Sequence, residues 1–247
     1  MPDVLGYRAK LGVIVPSTNT VVEADFARLA PAGVTCHAGR MYVANPALGS
    51  DADFETLLAE IRGSIQVAIR DVMTCEPDHL VMGMSSETFW GGVEGNRAFI
   101  ERVESQTGLR VSTGPSACEA GLRAHGVRRI AAFSPYQPVA DRQVRRFFEE
   151  AGFDVLRVTG LRCPTATAIA RVGEDRLREV LRELDSPDVE AIVQVGTNLP
   201  MRQLADEAER SLGKPVLAIN ATTLWHALRA LGIRDRIEGG GRLLREH

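Results

Sequence analysis

Short apolar runs alternate with segments of helical period along nearly the whole chain, and this alternation constrains the fold more than any other feature. Runs near residues 10–15 (KLGVIV), 34–43, 79–83, 109–112, 129–133, 153–159, 190–195 and 215–219 read as strands. Between them, helical patterns fall near 20–30, 53–74, 93–106, 115–125, 137–151, 173–184, 200–212 and 221–231. Strand and helix taken in turn predict parallel sheets covered by helices on both faces. The punctuation agrees. Pro115, Pro138 and Pro200 stand where first helical turns would begin, and Gly126, Gly152 and Gly232 follow helices.

The chain also resembles itself. GLRAHGVRR (121–129) and ALRALGIRD (227–235) share a Leu-Arg-Ala-x-Gly core 106 residues apart. Pro16 matches Pro135, and Ala32-Gly33 matches Ala151-Gly152, at an offset of 119. DHLVMGMSS set beside EAIVQVGTN pairs Ser85-Ser86 with Thr197-Asn198. Self-similarity over about a hundred residues indicates a duplicated α/β unit, because solenoid repeats are shorter. The expected halves are residues 1–113 plus 225–247 and residues 114–224.

Ligands of open parallel sheets bind beyond the carboxyl ends of the strands. Two facing halves would therefore bring four loops into one cleft: 16–19 (PSTN), 83–87 (GMSSE), 134–136 (SPY) and 196–198 (GTN). All carry small polar residues and backbone N–H groups beside expected helix starts, a setting that attracts a carboxylate. Ser, Thr and Asn are also the preferred helix caps, so each loop taken singly has an ordinary structural explanation.

Composition sets the outer bounds. A chain of 247 residues with 45% hydrophobic and 25% charged residues can bury a large core as one domain or two small ones. A net charge of −3 gives no reason to expect nucleic acid or an acidic membrane as partner. No apolar run approaches the roughly 18 residues of a membrane span, and the opening MPDVLGYRAK lacks a secretory h-region. A cytoplasmic protein is expected. Cys36, Cys75, Cys118 and Cys163 are scattered, so they suggest neither a zinc site nor a disulfide framework.

At the four loops the sequence resembles a known family. VIVPSTNT, SPY and GTNL, followed by GKPV and NATTLWHALRALGI, look like the maleate cis–trans isomerases, and MGMSSETFWGG is similar to arylmalonate decarboxylases. Both belong to the aspartate/glutamate racemase superfamily, and the resemblance runs from about residue 10 to about residue 234. It implies two pseudo-symmetric Rossmann-like halves, each a four-stranded parallel sheet flanked by helices, with the active site between them. It further implies small carboxylate substrates, no metal or organic cofactor, and a homodimer or higher homo-oligomer. Carried over by motif, Ser17 and Asn19 fall in the carboxylate-binding segment, Ser85 and Ser86 on an anion-holding hydroxyl pair, and Tyr136 on the family tyrosine. Thr197 and Asn198 fall in the second-half loop.

The resemblance breaks at the reactive positions. The family's two cysteines fall on Met84 and Gly196, and none of the four cysteines here occupies either place. A site without a thiol is therefore expected. Glu87, three residues beyond Met84, is the expected replacement as general acid or base, with Tyr136 as proton donor or carboxylate anchor. Glu87 could instead sit in the first turn of the next helix. His79, His226, Arg40 and Arg171 have ordinary packing or solvent roles open to them, as do Phe89 and Trp90. Three functions follow: an isomerase- or decarboxylase-type enzyme moving a proton beside a carboxylate, a hydrolase or lyase in which Glu87 activates water, and a non-catalytic carboxylate binder.

Overall fold

A computed structural model describes residues 3–247. The alternation resolves into two four-stranded, all-parallel sheets. The first holds β1 (Ala9–Pro16), β2 (Val34–Met41), β3 (His79–Met82) and β4 (Val111–Ser112) in the order β2-β1-β3-β4. The second holds β5 (Arg129–Ser134), β6 (Asp154–Gly160), β7 (Ala191–Gln194) and β8 (Val216–Ala218) in the order β6-β5-β7-β8. Strand order is the same in both, so the internal repeat is a repeat of topology.

Helices α1 (Val22–Leu29), α2 (Asp51–Met73) and α3 (Gly92–Thr107) connect the first four strands, and α4 (Gly114–Ala124) crosses to the second sheet. There α5 (Pro138–Glu150), α6 (Glu174–Leu184) and α7 (Arg202–Leu212) play the matching parts. Helix α8 (Ile219–Ala230) leaves β8 without a loop and packs against α1 and α4. The two most similar sequence stretches, GLRAHGVRR and ALRALGIRD, are the ends of α4 and α8.

Every residue of β3 and of β7 is buried, which is why both read as mainly apolar runs, Leu80–Met82 after His79 and Ala191–Val193 before Gln194. One apolar cluster lies between the first sheet and α2, one centres on Phe89, Phe147 and Phe148, and a third joins the halves, with Val13, Val15 and Phe26 beside Phe133, Leu177 and Leu228. Helix α2 is capped by Ser50, whose hydroxyl accepts from Asp53 N, and its buried stripe begins with Phe54, Leu57, Leu58 and Ile61. That stripe carries apolar side chains from the core up to the cleft.

Boundaries differ from expectation where side chains redirect the backbone. Strand β2 ends at Met41 rather than residue 43, since Val43 N donates to the hydroxyl of Ser17 at 3.0 Å and the chain turns toward the cleft. A 3₁₀ turn at Ala168–Arg171 and the terminal helix α9 (Arg242–Glu246) carry no expectation from sequence. Among the described residues no helix is long and apolar enough to cross a membrane.

Candidate active site

The loops after β1, β3, β5 and β7 meet at a cavity of about 50 Å³. These are the two central strands of each sheet, and their carboxyl ends face each other as the duplication implies. Two longer loops complete the wall: residues 42–50 after β2, and residues 161–171 after β6. They are joined beside the cavity by a bond from Leu48 N to Pro164 O (2.7 Å) and by a reciprocal pair between Asn45 and Thr167, at 3.0 Å in both directions.

Asparagine and threonine side chains fasten the halves together. Asn19 Oδ1 accepts from Val21 N and Val22 N at 2.9 and 3.0 Å, capping α1, while its Nδ2 donates to Thr197 Oγ1 at 3.2 Å. Thr197 Oγ1 in turn donates to Gly83 O at 3.0 Å. Asn198 Oδ1 accepts from Thr20 N, and its Nδ2 serves Ala166 O and Thr18 O. Asn19, Thr197 and Asn198 border the cavity, but their side chains are largely committed to protein partners.

What remains free is backbone. The N–H groups of Ser85 and Ser86 in the first half, and of Thr197 and Asn198 in the second, donate to no protein acceptor among the described residues. The Ser86 hydroxyl likewise has no protein partner, in a residue only 8% exposed. Buried N–H groups are nearly always paired. Two unpaired sets at equivalent places of a repeat, on one cavity, make a cradle for an anion.

Ser85 Oγ and Tyr136 Oη lie 2.5 Å apart. Burial raises the Tyr136 phenol well above its ordinary pKa, with the Ser85 hydrogen bond opposing it. The tyrosine is fixed from behind: its N–H donates to Ser134 Oγ (3.0 Å), which donates to Asp141, and Arg162 donates to Tyr136 O (2.6 Å) while pairing with Asp141. The Phe54 ring stands edge-on to Tyr136 at 5.3 Å. Val43, Leu48, Phe54, Leu57 and Ile61 make the rest of the wall apolar, and among the described residues no charged side chain borders the cavity.

Several sequence expectations need correction. Glu87 does not turn into the cleft. The loop around it is a run of turns, and its carboxylate is held by Arg62 Nε at 2.8 and 2.9 Å in a separate groove between α2 and α3. Ser17 is not on the cavity either; its hydroxyl accepts from Val43 N and holds the end of β2. Met84 lines the wall as an apolar residue, 1% exposed. Gly196 also lines it, at φ +102, and a Cβ there would stand 2.3 Å from Pro135 Cδ, so the backbone excludes a side chain as it now lies.

The cavity wall nonetheless includes one thiol, that of Cys163, away from the two positions where the family resemblance puts a cysteine. It lies in the wall just past the carboxyl end of β6, and burial pushes its pKa up to about 11. The one signal in the sequence that could have found it is that strand-end loops of both halves face the cleft. The remaining candidates have ordinary partners. His79 and His226 share the Ser112 hydroxyl at 2.8 and 2.7 Å, Arg40 pairs with Glu23, and Arg171 is exposed. Phe89 is in the aromatic core. Among the described residues no group of three His, Cys, Asp or Glu side chains is arranged to hold a metal ion.

With this geometry in view, the sequence model of the arylmalonate decarboxylase family matches residues 11–244. The chain belongs to that family. It is 29% identical to the arylmalonate decarboxylase of Bordetella bronchiseptica, over 96% of each chain. It is 26% identical to the maleate isomerase of Nocardia farcinica, over 98% of this chain and 97% of that one. Its fold matches a mutant of the N. farcinica maleate cis–trans isomerase, solved with a covalently bound succinylcysteine intermediate, with a TM-score of 0.87 at 24% identity. That alignment covers 96% of this chain and 98% of the other. The chain is thus an enzyme of the isomerase and decarboxylase lineage, on the two-sheet fold that lineage shares.

Proposed function

We propose that this member of the arylmalonate decarboxylase family is a cofactor-independent decarboxylase of small malonate-type acids bearing an apolar substituent. The observation that carries this reading is the division of the cavity. One side offers unpaired N–H groups and the hydroxyls of Ser85, Ser86 and Tyr136, and the other is built from Val43, Leu48, Phe54, Leu57 and Ile61, with no cationic side chain among the described residues on the wall.

Neutral donors in a small, dry space can hold one carboxylate well, because charge-assisted hydrogen bonds strengthen where water is excluded. A second carboxylate would have to lie against the apolar wall without a counter-charge, which is costly. Releasing it as CO2 removes that charge, so binding energy gained at the first carboxylate destabilises the second. The electron pair left behind passes into an enediolate on the retained carboxylate, facing the same N–H groups. A proton must then reach the adjacent carbon.

Such a reaction needs a proton donor and no base. The titratable groups on the wall, Tyr136 and Cys163, are both raised by burial and so stay protonated near neutrality. Tyr136, already bonded to Ser85, anchors the retained carboxylate. The hydrolytic alternative required Glu87 beside a water, and its pairing with Arg62 outside the cavity removes that support.

The test is incubation with phenylmalonate and, separately, with maleate, in deuterium oxide. The reading expects CO2 and a monoacid carrying one deuterium at the carbon beside the carboxylate. Conversion of maleate to fumarate without CO2 from phenylmalonate would select the isomerase instead. Binding of either acid without turnover would select the carboxylate binder.

A further inference from the structure

The two titratable groups of the cavity stand on different walls. Tyr136 belongs to the apolar cluster of Phe54 and Phe89, whereas Cys163 belongs to the cluster of Ile169, Leu199 and Met201. The tyrosine hydroxyl is engaged by Ser85. The Cys163 thiol, in a residue 5% exposed, has no hydrogen-bond partner among the described residues and borders the cavity.

The backbone that presents this thiol is fixed on every side. Leu161 N donates to Ser134 O at 2.8 Å, and Cys163 N donates to Pro135 O at 3.0 Å. Between them Arg162 lies in the left-handed region at φ 55, held by Asp141 and by the carbonyl of Tyr136. A non-glycine residue in that region is strained and persists only where its surroundings impose it. One ion pair, Asp141–Arg162, therefore stands behind both Tyr136 and Cys163.

The anion-holding part of the site is marked independently. The Ser86 hydroxyl, nine-tenths buried and without a protein partner, and the unpaired N–H groups around it define where a carboxylate lies. A substrate anchored there has the carbon next to that carboxylate inside the same cavity that Cys163 borders.

We infer that Cys163 is the proton donor of this site, delivering hydrogen to the carbon beside the retained carboxylate. The inference rests on the decarboxylase reading above. The bond from that carbon to the departing carboxylate breaks, CO2 leaves, and the electron pair stays as the enediolate. The S–H bond then breaks as the C–H bond forms, and the resulting thiolate recovers a proton from water before the next turnover. A thiol at about 11 remains protonated at neutral pH and is a better acid than the more strongly raised phenol of Tyr136. Delivery from one wall reaches one face of the enediolate, so a prochiral substrate gives a single enantiomer.

The experiment compares wild type, Cys163→Ala and Cys163→Ser on 2-methyl-2-phenylmalonate. It follows CO2 release and the enantiomeric composition of the 2-phenylpropionate formed. Losing the donor is expected to lower kcat by about 10²- to 10⁴-fold, with KM little changed and enantiomeric purity lost. Cys163→Ser keeps the side-chain volume and carries the test if the alanine variant melts early. Labelling of the Cys163 peptide by iodoacetamide, read by mass spectrometry, is expected to slow when phenylmalonate is added, a readout independent of turnover. Wild-type rate and enantiomeric purity in Cys163→Ala would overturn the assignment and leave the decarboxylase reading standing. Absence of CO2 from the wild type would overturn that reading, and the inference with it.

Discussion

Gly196 offers the most quantitative test of how the cavity is built. It sits at φ +102, and a Cβ added to it would meet Pro135 Cδ at 2.3 Å and Cγ at 2.6 Å. Gly196→Ala therefore carries two penalties. Forcing a side chain into this backbone region costs on the order of 1–3 kcal/mol. Wedging a methyl group against a proline ring that is itself packed costs about 1–3 kcal/mol more. For a chain of this length each kcal/mol moves Tm by roughly 2–4 °C, so a penalty near the middle of that range lowers Tm by about 10 °C. The assay is thermal unfolding by circular dichroism of Gly196→Ala, Pro135→Ala and the double variant. In a double-mutant cycle the steric part is expected to be recovered when Pro135 is also shortened, leaving only the backbone part. An unchanged Tm for Gly196→Ala would refute the reasoning, and would mean that position 196 can carry the thiol that the family resemblance put there.

Other consequences follow from the same contacts. Glu87→Gln leaves kcat for the proposed reaction unaltered and shifts stability by less than about 1 kcal/mol, because Arg62 is half exposed and such pairs contribute little; loss of turnover measured in this variant would restore Glu87 to the chemistry. Asn198→Ala strands Thr20 N and the carbonyls of Thr18 and Ala166, so urea unfolding should show a loss of about 1–3 kcal/mol or more from the broken join between halves. Acid should also destabilise the fold through His79. Burial, with smaller contributions from His226 and Arg110, depresses its pKa from 6.5 to about 4. The unfolded chain then takes up the proton first, so stability present above about pH 6.5 falls as pH drops toward 4, by about 3 kcal/mol at 1.36 kcal/mol per unit. Chemical denaturation across pH 4–7 measures this, and His79→Gln should flatten the slope.

Much of the architecture is legible in the sequence because burial is periodic. The fully buried strands β3 and β7 are mainly apolar runs, and the ends of α4 and α8 announce the repeat by their shared Leu-Arg-Ala-x-Gly core. The four polar loops of the cleft are legible for the same reason, since each directly follows a recognisable strand. Where side chains point within those loops is not. Ser86 and Glu87 are neighbours, yet one faces the cavity and the other an outer groove, a choice made by Arg62 on α2, 25 residues away. Cys163 is invisible to periodicity because it follows a positive-φ residue in an irregular loop, held by Asp141 on a different helix. The sequence shows that Gly196 lacks a side chain; that its backbone and Pro135 exclude one is a tertiary fact.

Backbone N–H groups of both repeats are expected to hold a carboxylate in one cavity. The direct measurement is a titration of ¹⁵N-labelled protein with phenylmalonate, followed by amide shifts in ¹H–¹⁵N spectra. The expected result is saturable perturbation of Ser85, Ser86, Thr197 and Asn198 together, with one dissociation constant for all four. Perturbation confined to the groove of Arg62 and Glu87, or to the loop of one half alone, would contradict it.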